Sequence, residues 1–183
     1  MNKKTAVFIS GRGSNLKSFL DHLVDSSQSG LTYVFSSKRK APGILWALKR
    51  GCRVETNPLK TEEDWVFLAK KLNTLRIKKL FLLGFMKIIP EVFLTKYMGE
   101  AINLHPSVLP DFPGLNSIEK SLEEKKAVGV SLHKVTTKMD EGPVKFQKEV
   151  ILNKKNNNFI EQLRVHEFEQ SAIQTLLGLE SYI

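Results

Sequence analysis

Cysteine is nearly absent: Cys52 is the only one in 183 residues. A single thiol excludes an intramolecular disulfide and any multi-cysteine metal site. Close to Trp46 and Leu48, it reads as a small buried hydrophobe. The four histidines, His22, His105, His133 and His166, are scattered with no HxH or HxxxH pair, so no metal is expected. No apolar run approaches the ~20 residues needed to span a bilayer. The opening MNKKTAVFIS has too short an apolar stretch for a secretory signal, so a cytoplasmic protein without a membrane partner is expected. There is also no GxGxxG dinucleotide fingerprint, no internal repeat and no linker that would divide the chain.

What is present is a globular balance, 42% apolar and 26% charged. Lys and Arg number 28 against 19 Asp and Glu, a net charge of +9. Such a surplus favours anionic ligands: a phosphorylated metabolite, a polyglutamate tail or nucleic acid. The cations lie in short clusters, such as KRK at 38–40 and KK at 78–79, which is the pattern of a solubilising surface. Small-molecule substrates are therefore expected and nucleic acid is not; a homodimer is left open.

The chain alternates between two periodicities. TAVFIS (5–10) is a short apolar run, and LKSFLDHLV then places Leu16, Phe19, Leu20 and Leu23 on one helical face. LTYVFSS (31–37) reads as a strand and GILWALKRG (43–51) as a short helix stopped at Gly51. Thr61 and Asp64 form a capping pattern ahead of the amphipathic WVFLAKKLNTL. KLFLLGF (79–85) is apolar throughout, as a strand covered on both faces would be. PEVFLTKYM (90–98) reads as a helix with Pro in its first turn, and EAINLH (100–105) as a strand. VGVSLHKV (128–135) and VKFQKEVIL (144–152) are two longer β-rich runs, followed by a polar turn NKKNNN and 25 residues of helical periodicity. Strand and helix alternating at this spacing predict a single α/β domain: a Rossmann-like, mostly parallel sheet flanked by helices, with antiparallel strands in the C-terminal half.

In such a sheet, ligands sit outside the carboxyl ends of the strands. Three loops there carry informative residues. GRGSN follows the first strand. Its two glycines allow close approach to a phosphate, and the free N–H groups of the following helix favour an anion. The turn reads equally as a plain cap, with Ser14 or Asn15 as the N-cap. LLGFMKIIP (82–90) continues an apolar run into a loop, where Phe85, Met86, Ile88 and Ile89 fit the wall of a flat heterocycle or simply a strand core. INLHPSVLPDFPG (102–114) places Asn103 and His105 on one face of a strand end and then fixes the chain with three prolines and a glycine. The Asn amide can donate to a developing oxyanion, and the His can exchange a proton. Asp140, in MDEGP, lies in a turn between the two late strands; beside His105 its carboxylate would raise the imidazole pKa and hold the protonated form.

Together GRGSNL, GFMKII, INLHPSVLPDFPG and SLHKV…MDEGPV resemble the phosphoribosylglycinamide formyltransferases of purine synthesis, in that family's order and over essentially the whole chain. The resemblance implies a ribonucleotide-phosphate half at about 1–100 and a folate-binding and catalytic half at about 101–183. It places the phosphate on Gly11, Arg12, Gly13, Ser14 and Asn15, and the co-substrate 10-formyltetrahydrofolate on Met86, Lys87, Ile88, Ile89 and Asn103. Asn103, His105 and Asp140 would be catalytic, Glu169 would contact the ribonucleotide, and His133 would be structural. The sequence departs from the family in four places. Lys87 stands where Arg is usual, PGLNS replaces a PGLHT-like run, and Gln170 follows the last-helix Glu in place of His. A family Arg at the start of the third helix has only Lys60 nearby. Methionyl-tRNA formyltransferases and formyltetrahydrofolate hydrolases share the trio but carry further domains that this chain is not expected to have. A non-catalytic nucleotide-binding module would have no use for the intact trio.

Overall fold

The computed structural model describes residues 4–25, 32–124, 126–150, 165–167 and 169. The chain forms two compact units, Met1–Ile102 and Asn103–Ile183. The first alternates regularly: β1 (Thr5–Ile9), α1 (Ser14–Asp25), β2 (Thr32–Ser36), α2 (Ile44–Lys49), β3 (Arg53–Thr56), α3 (Glu62–Thr74), β4 (Lys79–Leu82) and α4 (Glu91–Lys96). β5 (Glu100–His105) begins in the first unit and ends in the second, which continues with α5 (Ser117–Glu123), β6 (Val128–Lys134) and β7 (Val144–Val150). The strand order is β3-β2-β1-β4-β5-β6-β7. β1 pairs in parallel with β2 and β4, and β2 with β3, whereas β6 and β7 are antiparallel. This is the mostly parallel sheet with antiparallel C-terminal strands that the sequence predicts.

Burial explains the first unit. Ala6, Val7, Phe8 and Ile9 of β1 are all 0% exposed, as a central parallel strand covered on both faces requires. α1 buries Leu16, Phe19 and Leu20, its apolar stripe. α3 begins with the capping box the sequence predicts: Asp64 N–H donates to Thr61 Oγ1, and Thr61 N–H donates to Asp64 Oδ2. Its buried face is Trp65, Leu68, Ala69 and Leu72. The Phe8 ring centroid lies 4.9 Å from that of Phe35 and 5.3 Å from that of Phe85. Phe85, half-buried, thus packs against an aromatic cluster that includes Trp65 and, through Trp65, Phe93.

The structure differs from the sequence reading in several places. The strand expected over 79–85 ends at Leu82, because Gly84 turns the chain with φ 72°. Pro90 sits one residue outside α4, in extended conformation. β3 and α5 have no counterpart in the sequence reading. Cys52 is half-buried, with its thiol pKa raised by burial, and Leu48 beside it is exposed. Residues 151–152, the NKKNNN turn and all but four residues of the expected last helix lie outside the described residues; those four (165–167 and 169) are helical.

Candidate active site

Asn103 and His105 stand two residues apart on β5 and so share a face, while Ile102 and Leu104 point the other way and are buried. The loop after β5 is held at both of its ends. Ser107 Oγ donates to the Asp111 carbonyl at 2.6 Å. Ser131 Oγ, on β6, donates to the Ser107 carbonyl at 2.7 Å and accepts the Leu109 N–H at 3.1 Å. Gln147 Nε2 donates to the Leu109 carbonyl at 2.8 Å and to Ser131 Oγ at 2.9 Å. The Leu109–Pro110 peptide is cis. The run of prolines in INLHPSVLPDFPG thus belongs to a loop anchored on both β6 and β7.

Asp140 arrives from the turn between those strands. Gly142 makes that turn possible: a Cβ there would lie 1.7 Å from the Lys134 carbonyl oxygen, so only glycine fits. The β6–β7 register shifts between Leu132 and His133, a local irregularity beside the candidate site.

The two oxygens of Asp140 face four nitrogens. Oδ1 accepts from Asn103 Nδ2 at 3.2 Å and lies 3.3 Å from His133 Nε2. Oδ2 accepts the Gly114 N–H at 2.8 Å and lies 3.4 Å from His105 Nδ1. Burial opposes ionisation of this carboxyl. The hydrogen bond with His133, the Gly114 N–H, and the charges of His105 and then His133 outweigh it and hold the carboxyl at about 2. Asp140 is therefore a carboxylate at neutral pH.

His105 is 4% exposed. Its Nε2 lies 2.9 Å from the Phe112 carbonyl, which can only accept, so Nε2–H donates. With Asp140 on the other side, each ring nitrogen meets an acceptor; the imidazolium is the form that turns an N–H to both. His133 is 2% exposed and gives Nδ1–H to the Lys134 carbonyl at 3.1 Å. Its Nε2 faces Asn103 Nδ2 at 3.2 Å as well as Asp140. As a lone pair it takes the Asn103 amide proton; as an N–H it serves the carboxylate. The expected trio is brought together, and His133 joins it as a direct neighbour of the carboxylate. The contacts from Gly114 N–H and the Phe112 carbonyl are backbone groups with no signal in the sequence beyond the PG that follows Phe112.

The first unit holds the other two motifs. Gly13 immediately precedes α1 with φ 76°, and its carbonyl accepts the Lys17 N–H at 2.9 Å. A Cβ on Gly13 would sit 2.6 Å from Gly43 Cα, so the turn is packed backbone to backbone. Ser14 and Asn15 are inside α1, and neither is its N-cap. Asn15 is 9% exposed and its Oδ1 has no partner, while Gly11 has open space where a Cβ would be. In the 86–89 segment, Met86 and Ile88 are 64% and 72% exposed, Ile89 is buried, and Lys87 Nζ donates to the Leu59 carbonyl at 3.3 Å. Lys60, exposed, precedes the Thr61 cap of α3. In the second unit Glu169 is 6% exposed and takes a 2.7 Å hydrogen bond from His166 Nδ1. That bond raises the His166 pKa, burial opposes it, and the charges of Glu169 and Glu119 add to it. Among the described residues no group of three or more His, Cys, Asp or Glu is placed to hold a metal, and no helix is long and apolar enough to cross a membrane.

A formyl transferase family model matches residues 3–177. The chain is 34% identical over 150 residues to the phosphoribosylglycinamide formyltransferase of Escherichia coli (strain K12), covering 79% of this chain and 71% of that protein. It is 32% identical over 185 residues to the trifunctional purine biosynthetic protein adenosine-3 of Drosophila pseudoobscura pseudoobscura; that match takes in 97% of this chain, which spans 14% of the length of that relative. Among solved structures, the phosphoribosylglycinamide formyltransferase of Campylobacter jejuni subsp. jejuni NCTC 11168 superposes with a TM-score of 0.85 at 32% identity, covering 100% of this chain and 99% of that one.

Proposed function

We propose a reaction for this chain on the premise that it belongs to the formyl transferase family, and within it to the phosphoribosylglycinamide formyltransferases. The reaction is transfer of the formyl group of 10-formyltetrahydrofolate to the primary amine of N1-(5-phosphoribosyl)glycinamide, a step of purine synthesis. The observation that carries it is the ionised, half-buried Asp140 flanked by His105 and His133, with the Asn103 amide against the same carboxylate.

The amine attacks the formyl carbon and gives a tetrahedral oxyanion. Collapse expels N10 of the folate, and one proton must pass from the attacking nitrogen to that leaving nitrogen. Asn103 and the His105 imidazolium supply the positive electrostatic face for the oxyanion. Asp140 sets its carboxylate against His105 Nδ1 and orders a water for proton transfer. Proton delivery from His105 Nε2 requires the Phe112 carbonyl to give way, because that carbonyl holds the N–H here. We assign Gly11, Arg12, Gly13, Ser14 and Asn15 to the ribonucleotide phosphate. Met86, Lys87, Ile88 and Ile89, with Asn103, are assigned to the folate, and Glu169 to the ribonucleotide. The unpartnered Asn15 Oδ1 and the open space over Gly11 support the first assignment.

The test is tetrahydrofolate release from 10-formyltetrahydrofolate with glycinamide ribonucleotide, methionyl-tRNA or water alone as acceptor. Rapid release with the ribonucleotide alone is expected; comparable turnover with methionyl-tRNA or with water would overturn the assignment.

A further inference from the structure

Ser10 ends the first apolar run and immediately precedes the Gly11–Asn15 turn, and the chemistry above gives it no role. It is 2% exposed. Its Oγ accepts the backbone N–H of Met86 at 2.9 Å and lies 2.7 Å from the Oγ of Ser37, a residue just past β2 that is 8% exposed. The backbone follows the same route: Ser10 N–H donates to the Gly84 carbonyl at 3.1 Å, and Ser37 N–H donates to the Ile9 carbonyl at 3.3 Å. Residues 86–89 belong to no helix or strand, so their backbone groups need partners from elsewhere. Two contacts are given to the start of this segment, Met86 N–H on Ser10 and Lys87 Nζ on the Leu59 carbonyl, just where Met86 and Ile88 stand in solvent. A serine that merely ended β1 would not need its hydroxyl aimed at a residue 76 positions away.

We propose that Ser10 is a positioning residue for the folate: its hydroxyl, backed by Ser37, fixes the Met86–Ile89 backbone in the shape that receives the co-substrate. The inference rests on the folate role given to that segment under Proposed function. Ser10 also adjoins the phosphate turn, so a purely structural role at the end of β1 would disturb both ligands together, whereas the positioning role disturbs the folate alone.

The experiment compares wild type with Ser10→Ala and Ser37→Ala, measuring KM for each substrate, kcat at saturation, and hydrogen exchange of the Met86 amide. In Ser10→Ala the KM for 10-formyltetrahydrofolate is expected to rise about fivefold or more, the scale of one lost hydrogen bond. The KM for the ribonucleotide and kcat should stay within about twofold. Ser37→Ala keeps the Met86 contact and should shift the folate KM far less. The Met86 amide should be protected in wild-type protein and exchange faster in Ser10→Ala. An unchanged folate KM, or equal rises in both KM values, overturns the inference while leaving the reaction standing. A wild-type protein that neither binds nor turns over the folate removes the reaction and this inference together. If Ser10→Ala does not fold, the wild-type exchange measurement decides: an unprotected Met86 amide overturns the inference.

Discussion

Gly114 donates its backbone N–H to Asp140 Oδ2 at 2.8 Å, and this single bond ties the loop after β5 to the turn between β6 and β7. The two segments are 26 residues apart in sequence, yet the carboxylate depends on this backbone donor as well as on the histidines beside it. Asp140 itself has φ 55°, a conformation that its surroundings must hold in place. Changes on either segment should therefore reach the carboxylate.

Asp140→Asn is the most direct such change. The carboxylate meets donors at both oxygens, and an amide has only one acceptor oxygen, so one side must set a donor against donors. A fall in kcat of about 10² to 10⁴ is expected, the range for a lost acid–base or oxyanion group. A stability loss of about 1–3 kcal/mol should accompany it. Steady-state kinetics and urea unfolding at pH 7 check both; near-wild-type kcat would remove Asp140 from the chemistry.

The same carboxyl makes a pH prediction. Its folded pKa, about 2, is below the ordinary value of 3.8. The folded state therefore binds its proton less readily, and the resulting stability is present above pH 4 and lost as pH falls through 4 toward 2. Its size is roughly 2 kcal/mol, since about 1.4 kcal/mol accompanies each pKa unit. Unfolding free energies of wild type and Asp140→Asn, measured from pH 7 to pH 3, should converge as the pH falls. Parallel curves would mean that the carboxyl titrates as if exposed.

Ser131→Ala tests the loop anchor. The residue is 0% exposed, and its hydroxyl serves Leu109 N–H, the Ser107 carbonyl and Gln147. Removal leaves a buried N–H without its partner, at a cost of about 1–3 kcal/mol. The midpoint of thermal unfolding should drop, with kcat falling more than either KM changes, because His105 at the end of β5 rests on the Phe112 carbonyl of the loosened loop.

Gly11 and Gly13 separate binding from folding within one turn. Gly13→Ala places a Cβ 2.6 Å from Gly43 Cα at φ 76°, so destabilisation of about 1–3 kcal/mol or more is expected. Gly11→Ala meets nothing within 4 Å, so the fold should be unaffected while the KM for the ribonucleotide rises several-fold. Circular dichroism melts beside KM values distinguish the two; a Gly11→Ala enzyme with unchanged KM would mean that no phosphate approaches that backbone.

Thr61→Ala tests the α3 cap by itself. It removes the side-chain half of the α3 capping box and should cost about 1 kcal/mol, read by urea unfolding, with kcat unchanged.

Most of the framework was legible because periodicity and burial agree. The α1 stripe of Leu16, Phe19 and Leu20, the apolar run of β1 and the Thr61–Asp64 cap each carry their own local signal. β3 was not legible. Arg53, Val54, Glu55 and Thr56 are exposed or half-buried, so nothing in RVET alternates strongly enough to mark a strand. α5 is only seven residues long, and its N-cap Asn116 is left-handed at φ 58° and makes no side-chain cap, although Asn is a residue type that favours that position. In the candidate site, Asn103, His105 and Asp140 could be read from spacing and resemblance. His133 was visible as a residue, but its contact with Asp140 lies beside a register shift that no residue pattern announces. Phe112 and Gly114 take part through backbone groups that no side-chain pattern reports.

β3 ends the strand order among the described strands, and so presents a row of backbone groups to whatever lies beyond it. It is four residues long, with exposed Arg53 and with Glu55 ion-paired to Lys71 of α3. Short length and charge are what keep one sheet from extending into another. The polarity that hid this strand from view also protects it: a second molecule adding its own strand there would have to strip water from both charges. Resistance to edge-to-edge pairing at this end of the strand order thus rests locally, on a few side chains of a short polar strand.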